Sequence, residues 1–550
     1  MTQNGVRGRG TRRSRAPQAR ELGWDDSLYE GSGVPGPRGP GEDEPSTRRD
    51  RRRAAQRPRS RRRRALRWTA VVFAVLILGT AGAGYLYYQH LNNNIETAPL
   101  SDGKHRAPKA TPNAAGQTPL NILLIGSDDR NSKENLRLGG HKESVGAKPL
   151  ADVQMLLHLS ADRSNMSVVS MPRDTLLDIP KCQDPETGET VPPLTREMTN
   201  VSLGRGGPDC TVRTWEKLTG IRVDHFVMVD FTGVVSMADA IGGVPVCVDA
   251  NIHSRNSKGE GSGLKLEKGT TEVKGEDALK WLRTRYGFED GSDIARAKAQ
   301  HMYMNSMVRE LKSSARLTNP AEMLDLAEAA TKALKVDDGL GSVQKLADLG
   351  GELKKVPNSR INMTTMPYEY VGARVQPKPG EAADLFELVR DDIALDGKDA
   401  AKKKEELSDD PAAPPADTGV VVQNASGDAT RAPLQGRATA VADLLKGKGY
   451  TLAAAERPGP GDDTSQARTA IRFPSPELEG DAQALAKSLG LPLSSVKQTT
   501  DVSGVTLIVG ADWREGDTPP KPTPKAPAKK DIENGADEGA CMHVNPAFTW

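Results

Sequence analysis

Short apolar runs alternate with amphipathic segments through the middle of the chain. The run LNILLIG at 120–126 is typical of a buried strand, and ADVQMLLHLS at 151–160 and SNMSVVSM at 164–171 predict a strand pair. The same reasoning predicts strands at 225–231, 244–248 and 360–366 and helices at 209–218, 232–241, 275–283, 292–313, 320–334 and 340–354. This alternation predicts an α/β (α+β-like) three-layer sandwich with a central mixed sheet.

The segment from Trp281 to Gln300 combines an Arg-x-Arg pair, a Gly/Asp turn and a helix start. Ser292 is a plausible N-cap for the helix at 292–313. Helical spacing puts Asp293, Arg296 and Gln300 on a polar stripe beside an apolar one. The apolar stripe consists of Ile294, Ala297, His301, Met304, Val308 and Leu311. Arginines beside a carboxylate suit a phosphate-rich ligand, although a surface salt-bridge network is an equal alternative on this segment alone.

Residues 68–88 contain no charged residue and predict a single transmembrane helix, because 21 helical residues span roughly 30 Å. Arg61–Arg64 and Arg67 precede the span, which places the N-terminus in the cytoplasm and the C-terminal bulk outside the cell membrane. A cleaved signal peptide is the alternative. The apolar segment is longer than that of a signal peptide, and the basic segment that precedes it is also too long for one.

Composition divides the rest of the chain. Residues 1–67 carry 19 Arg and few apolar residues, which predicts a disordered segment. The whole chain has a net charge of only +2, so its charge gives no reason to expect nucleic-acid binding. Beyond the membrane span we predict a linker at 89–118, a main folded domain at 119–394, a linker at 395–417, a small α/β domain at 418–512 and a disordered tail at 513–550.

Three of the four cysteines, Cys182, Cys210 and Cys247, fall within the main domain, and Cys541 lies in the tail. They form no CxxC pair, which disfavours a zinc or thioredoxin-type site. If the domain lies outside the cytoplasm, one disulfide is expected, but the sequence leaves the partners open.

Polar residues collect at predicted strand ends and turns. Asp128 and Asp152 could together hold Mg²⁺, which prefers oxygen ligands and bridges phosphates, and the nearby arginines could neutralise a pyrophosphate. Taken alone, Asp128 is as readily a turn cap as a metal ligand. His225 and His301 fall on apolar faces and are expected to be core histidines. The sequence contains no Walker A, GxSxG or HExxH motif, which disfavours nucleotide hydrolysis and serine or metalloprotease chemistry.

Seven motifs in order resemble the LytR-CpsA-Psr family of bacterial cell-wall enzymes. They are NILLIGSDDR (121–130), ADVQMLLHLS (151–160), SVVSMPRDT (167–175), GGPDCTVRTWEKLTGIRVDHFVMVDF (206–231), IGGVPV (241–246), GEDALKWLRTRY (275–286) and GSDIARAKAQ (291–300). The resemblance covers about 120–395, and residues 418–512 resemble the C-terminal domain often appended to that family.

The resemblance implies a Mg²⁺-dependent phosphotransferase that passes a glycopolymer from a polyprenyl-pyrophosphate carrier to peptidoglycan. It assigns Asp128 and Asp152 to the metal. The arginines it assigns to catalysis around the pyrophosphate are Arg173, Arg283, Arg285 and Arg296. Arg130, Asp293 and Gln300 are the remaining residues expected to contact the substrate. The lipid tail would need an apolar tunnel inside the sandwich.

Two positions depart from the family pattern. Leu150 and Ala299 stand where the family commonly has arginine, so two pyrophosphate contacts are expected to be absent. Arg130, His141 or Lys142 could replace them. Two alternatives therefore stay open: a non-catalytic polyprenyl-phosphate-binding or regulatory membrane protein of the transcription-attenuator type, and a lipid-pyrophosphate hydrolase in which water replaces the sugar hydroxyl.

Overall fold

The computed structural model describes residues 59–101, 106–110, 112–113, 116–129, 132–139, 146–185, 187–313, 319–398, 408, 410–428, 431–456, 465–466, 468–499, 501–519 and 526–550. Two compact units, 1–80 and 81–550, make up the chain. The predictions for residues 1–58 and for Arg130, His141 and Lys142 lie outside the described residues.

The helices in the described residues are α1 Arg59–Asn94, α2 Lys133–Gly139, α3 Ser202–Thr219, α4 Phe231–Ile241, α5 Gly275–Arg283, α6 Asp293–Ser313, α7 Pro320–Ala333, α8 Val343–Lys355, α9 Glu381–Arg390, α10 Arg437–Gly447 and α11 Glu479–Leu489. Most start and end within a few residues of the predicted bounds. Helix α3 begins seven residues before the predicted segment, and the non-helical angles of Gly206 and Gly207 put a kink between a short first part and the predicted one.

The strands are β1 Glu96–Ala98, β2 Leu120–Ser127, β3 Ala151–Leu159, β4 Met166–Ser170, β5 Leu176–Ile179, β6 Cys182–Gln183, β7 Thr190–Val191, β8 Leu194–Met198, β9 His225–Val229, β10 Val244–Val248, β11 Ile252–His253, β12 Lys265–Leu266, β13 Gly269–Val273, β14 Leu334–Asp337, β15 Ile361–Thr365, β16 Tyr368–Val371, β17 Arg374–Pro377, β18 Val420–Asn424, β19 Ala454–Ala455, β20 Ala470–Phe473, β21 Val496–Gln498, β22 Val505–Val509 and β23 Glu533–Asn534.

The main domain is built on a mixed eight-stranded sheet in the order β1-β14-β9-β2-β3-β4-β15-β23. Strands β2 and β9 pair in parallel, whereas β2–β3 and β3–β4 are antiparallel. Side chains alternate along β2, so Leu123 packs on one face with Trp215 of α3, and Ile122 packs on the other with Val356. Helices cover both faces, which confirms the predicted three-layer sandwich.

Residues 420–509 form a second, five-stranded sheet in the order β19-β18-β22-β20-β21, covered by α10 and α11. This confirms the predicted small α/β domain. Trp513 is fully buried in its core, so the core continues one residue past the predicted bound of 512. Arg468 pairs with Asp384 and Glu387 of α9 and thereby ties this domain to the main one.

The prediction of a disordered tail at 513–550 is wrong for the described part of that segment. Strand β23 pairs antiparallel with β15 and so extends the central sheet. Cys541 forms a disulfide with Cys247, and Cys182 forms a second one with Cys210. The prediction rested on the Pro- and Lys-rich composition of residues 519–530. It overlooked the apolar residues that follow this segment, of which Met542 and Val544 are buried.

Helix α1 contains the predicted membrane span. Residues Arg63–Asn94 are long and apolar enough to cross a membrane by length and composition. The large apolar side chains between Val71 and Leu78 are at least half exposed, as contact with lipid would require. The helix is therefore consistent with a single-pass anchor.

A buried ion pair joins the segment before β2 to α3. Arg106 Nε and Nη2 lie 2.7 and 2.8 Å from Glu216 Oε2 and Oε1, and the side chains are 3% and 1% exposed. The Glu216 carboxylate also accepts the backbone N–H groups of Ala107 and Val223. Glu216 therefore fixes two chain segments to α3.

We predict that Glu216→Ala lowers the free energy of unfolding by about 3–5 kcal/mol, because it leaves the buried Arg106 charge unpaired. Chemical denaturation of the full chain measures this loss. Glu134→Ala is the matched control, since Glu134 pairs with Arg137 at the surface and its loss should change stability little. Equal losses in the two variants would contradict the prediction.

Candidate active site

The two predicted carboxylates lie at neighbouring ends of β2 and β3, the two middle strands of the central sheet. Asp128 directly follows β2, and Asp152 is the second residue of β3, which pairs antiparallel with β2. Asp128 is 7% exposed, and its Oδ1 accepts the backbone N–H of Leu150 at 2.7 Å. The Leu150 carbonyl accepts the Asp128 N–H at 3.2 Å. Asp128 therefore anchors the loop that enters β3.

Arg173 lies three residues beyond β4, whose last residue, Ser170, pairs with Met155 in the middle of β3. Its Nη1 donates to Asp152 Oδ1 at 3.1 Å, and its Nε donates to Asp293 Oδ2 at 3.3 Å. Burial alone would lower the pKa of Arg173, but Asp152 and Asp293 outweigh it and raise that pKa. This guanidinium thus links the sheet edge to the start of α6.

Asp293 is the centre of the cluster. Besides Arg173 at Oδ2, both Arg285 Nε and Arg296 Nη2 lie 3.1 Å from its Oδ1. Its side chain is 11% exposed and sits in the first turn of α6, where the helix dipole favours negative charge. Ser292 Oγ accepts the N–H of Ala295, so the predicted N-cap is confirmed.

The contacts of Arg285 and Arg296 with Asp293 are ion pairs without hydrogen-bond alignment. Within the described residues, Arg285 Nε and Asp293 Oδ1 are buried atoms that make no hydrogen bond. Burial lowers the pKa of Arg296; Asp293 opposes this shift and Arg173 adds to it. Three guanidinium groups face two carboxylates, so the cluster carries an excess positive charge. Arg285 and Arg296 keep N–H groups that can donate hydrogen bonds to an added anion.

Two predicted site residues make other contacts. Arg283 donates to the carbonyls of Leu138 and Gly139 at the end of α2, and its guanidinium lies 4.7 Å from the centre of the Phe231 ring. Gln300 donates to the Leu282 carbonyl at 3.1 Å. In this conformation both residues bind backbone carbonyls of the elements around the cluster.

The two departures from the family pattern have different surroundings. Ala299 is fully buried in a core with Trp281 and Tyr303, so its position faces away from solvent. Leu150 is half-buried and lies two residues before Asp152, in the segment that enters β3. Of the two positions, only 150 is partly open to solvent.

Helix α6 is buried on more sides than the predicted single stripe. Ala295, Ala299 and Tyr303 pack into one core, and Met304 and Val308 pack into another. His301 is fully buried and its Nδ1 lies 3.1 Å from Glu533 Oε2. His225 is partly buried and its Nδ1 lies 3.0 Å from Asp337 Oδ2. The expectation of two structural histidines agrees with these contacts.

Sequence reasoning missed the contribution of the tail to this region. Phe548 stacks on Tyr286, the residue after Arg285, with ring centres 6.2 Å apart. The cysteine count was the available signal. Three cysteines in one domain leave one without a partner, and Cys541 is the remaining candidate.

The protein is a three-layer α/β sandwich with an arginine-rich, carboxylate-centred cluster at one end of its central strands, an arrangement suited to a phosphate-bearing anion. The LytR_cpsA_psr family matches residues 85–393, and the domain described as the LytR cell envelope-related transcriptional attenuator matches residues 417–513. The chain belongs to the LytR-CpsA-Psr family, as its motifs predicted.

Named relatives match either most of the chain or about half of it. The chain is 28% identical over 484 residues to the cell wall biosynthesis protein LcpA of Corynebacterium glutamicum, covering 80% of this chain and 85% of that protein. It is 26% identical to the polyisoprenyl-teichoic acid–peptidoglycan teichoic acid transferase TagV of Bacillus subtilis, covering 51% and 67%. A LytR-Csp2A-Psr enzyme structure from Actinomyces oris aligns with a TM-score of 0.39 and 20% identity, covering 54% and 95%.

We predict that Asp293→Asn destabilises the domain by about 1.5–3 kcal/mol, because three guanidinium groups lose their common counter-charge. Added inorganic pyrophosphate should restore part of this stability and raise the melting temperature of the variant more than that of the wild type. Thermal unfolding with and without pyrophosphate measures both effects. Asp290→Asn, an exposed change in the same turn, is the control. A wild-type melting temperature for Asp293→Asn would contradict the cluster's role.

We predict opposite outcomes for arginine at the two departing positions. Ala299→Arg should lower the free energy of unfolding by roughly 1–3 kcal/mol or more, because it forces a charge into a packed core. Leu150→Arg should fold normally, since its bonds to Asp128 use only the backbone, and should bind pyrophosphate about fivefold more tightly or better. Calorimetric titration and thermal unfolding measure the two effects, and weaker binding by Leu150→Arg would contradict the assignment.

Proposed function

We propose that the protein is a membrane-anchored phosphotransferase of cell-wall assembly. It transfers a glycopolymer from a polyprenyl-pyrophosphate carrier to a hydroxyl of peptidoglycan. The observation that carries the proposal is the set of three arginines around Asp293, which matches the charge and geometry of a pyrophosphate. The printed name of the Bacillus subtilis relative, a teichoic acid transferase acting between a polyisoprenyl carrier and peptidoglycan, supports the same substrate class.

Pyrophosphate binding follows from the charge balance of the cluster. Arg285, with a side chain 39% exposed, can turn its donors from Asp293 to a phosphate oxygen, and Arg173 is 28% exposed. Each charge-assisted hydrogen bond contributes roughly 1.5–3 kcal/mol, so two or three of them hold the head group. Asp293 keeps the guanidinium groups together before substrate arrives and so reduces the cost of arranging them.

The reaction exchanges one phosphorus–oxygen bond for another. The acceptor hydroxyl oxygen attacks the phosphorus that carries the glycopolymer, the bridging bond of the pyrophosphate breaks, and polyprenyl phosphate leaves with the electron pair. The hydroxyl proton passes to a carboxylate or to solvent. The arginines stabilise the negative charge on the transferring phosphoryl oxygens and on the leaving phosphate.

Asp128 and Asp152 are the residues that would hold Mg²⁺. Their carboxylates stand at adjacent strand ends, and Mg²⁺ is commonly held by one or two carboxylates together with substrate phosphates, so this donor set fits the ion. In the described ranges no group of three His, Cys, Asp or Glu side chains lies close enough together to hold a metal ion without further ligands. When bound, the ion would neutralise phosphate charge.

We further propose that the N-terminus lies in the cytoplasm and the folded domains lie outside the membrane. The arginines at 61–64 and 67 precede the apolar span, as the positive-inside rule requires. All four cysteines are paired in the two disulfides, which suits an oxidising compartment and supports this orientation.

We predict that the full-length protein in detergent, given Mg²⁺, a lipid-pyrophosphate oligosaccharide and a peptidoglycan glycan, forms the phosphodiester and releases lipid phosphate. Arg173→Ala should lower kcat/KM by roughly 100-fold or more, because this guanidinium stabilises negative charge that develops in the transition state. Removal of Mg²⁺ with a chelator should stop transfer, and added Mg²⁺ should restore it.

Arg137→Ala is the matched control, because this exposed arginine pairs with Glu134 and Glu276 away from the cluster. Release of lipid phosphate without glycan product would favour the hydrolase alternative. Binding of the lipid pyrophosphate without either product would favour the non-catalytic regulatory alternative.

A further inference from the structure

The last ten residues, 541–550, here called the C-terminal strap, are fixed to the main domain. Cys541 is bonded to Cys247 of β10 across 294 residues of sequence, with Cα atoms 4.4 Å apart. Met542 and Val544 are 0% and 2% exposed and enter the core that contains Trp281. The strap lies beyond both matched family regions, which end at residues 393 and 513.

The strap pairs with residues 285–293, here called the arginine turn. The Glu289 N–H donates to the His543 carbonyl, and the Asn545 N–H donates to the Gly287 carbonyl, each at 2.9 Å. Phe288 and Val544 form an antiparallel bridge between these two bonds. The strap therefore adds a short strand along the middle of the turn.

The arginine turn has little regular structure of its own. Glu289 has a φ of 45° and Gly287 a φ of 143°, both in the region that side-chain-bearing residues rarely adopt. A Cβ at Gly287 would lie 2.8 Å from the Ile252 side chain. Such a conformation persists only when surrounding contacts determine it, and the backbone bonds from the strap are among those contacts.

The two ends of the turn carry the ion pair at the centre of the candidate site. Arg285 begins the turn and Asp293 ends it, and their side chains meet at 3.1 Å. Phe548 stacks on Tyr286 with an interplanar angle of 19°, directly beside Arg285. A shift in the middle of the turn would change the separation of the two ends and the direction of the Arg285 guanidinium.

We infer that the C-terminal strap, locked by the Cys247–Cys541 disulfide, is a positioning element that holds the arginine turn in its pyrophosphate-binding conformation. This inference rests on the proposed function for the ligand, but the ordering of the turn can be measured without it. The disulfide keeps the strap near its groove, because a tether across a long loop removes much of the freedom of the detached chain. Reduction of this bond should loosen the site without removing any site side chain.

The experiment compares the full-length wild type with Cys541→Ser and Phe548→Ala by hydrogen–deuterium exchange and by titration with inorganic pyrophosphate. In Cys541→Ser, amides of residues 285–291 should exchange about tenfold faster or more, because local opening of the turn becomes easier. Pyrophosphate should bind roughly 2- to 30-fold more weakly. Phe548→Ala should give a smaller change in the same direction, with the disulfide intact.

Trp550→Ala is the control, because Trp550 contacts Lys265 and Ile252 rather than the turn. Exchange in α10 of the second domain should stay unchanged in every variant, which separates local loosening from general unfolding. Unchanged exchange of 285–291 in Cys541→Ser would overturn the inference, and so would faster exchange with unchanged pyrophosphate affinity. If the wild type binds no pyrophosphate while the turn still loosens, the proposed function fails and the strap's hold on the turn stands.

Discussion

The site depends on one carboxylate that pairs with three arginines, one of them on the same helix and two from other segments. Asp293 stands at the start of α6, Arg173 follows β4, and Arg285 comes from the turn before α6. Guanidinium groups at such distances repel one another, so they stay together only with an anion between them. Asp293 supplies that anion in the free protein, and a bound pyrophosphate can take over the role. The same interaction thus explains why the three arginines stay together and supports the proposal that the site takes a pyrophosphate.

The rest of the main domain serves to bring these groups together. The antiparallel pairing of β2, β3 and β4 places Asp128, Asp152 and the segment leading to Arg173 at one edge. Burial of α6 between two apolar cores fixes the other side of the site. Charge at the centre and close packing around it fit a mechanism in which positioning and electrostatic stabilisation do most of the catalytic work.

Much of this could be predicted from the sequence because it depends on local pattern. Apolar runs of strand length located β2 and β3, and the Ser292 cap with its helical spacing located α6. Side-chain direction depends on distant contacts, so Arg283 and Gln300 were expected in the cluster although they hold α2 and α5. Ala299 was expected to mark a missing contact, but it lies in the core. The tail was missed because its pairing with Gly287 and Cys247 spans more than 250 residues, a separation that no local pattern encodes.

The most direct test is a crystal structure of the protein with a non-hydrolysable polyprenyl-pyrophosphate analogue. We expect phosphate oxygens within hydrogen-bond distance of Arg173, Arg285 and Arg296, with at least one of these guanidinium groups turned away from Asp293. We also expect the lipid chain to enter the apolar interior of the sandwich. A pyrophosphate bound elsewhere, with the Asp293 cluster unchanged, would contradict the central claim.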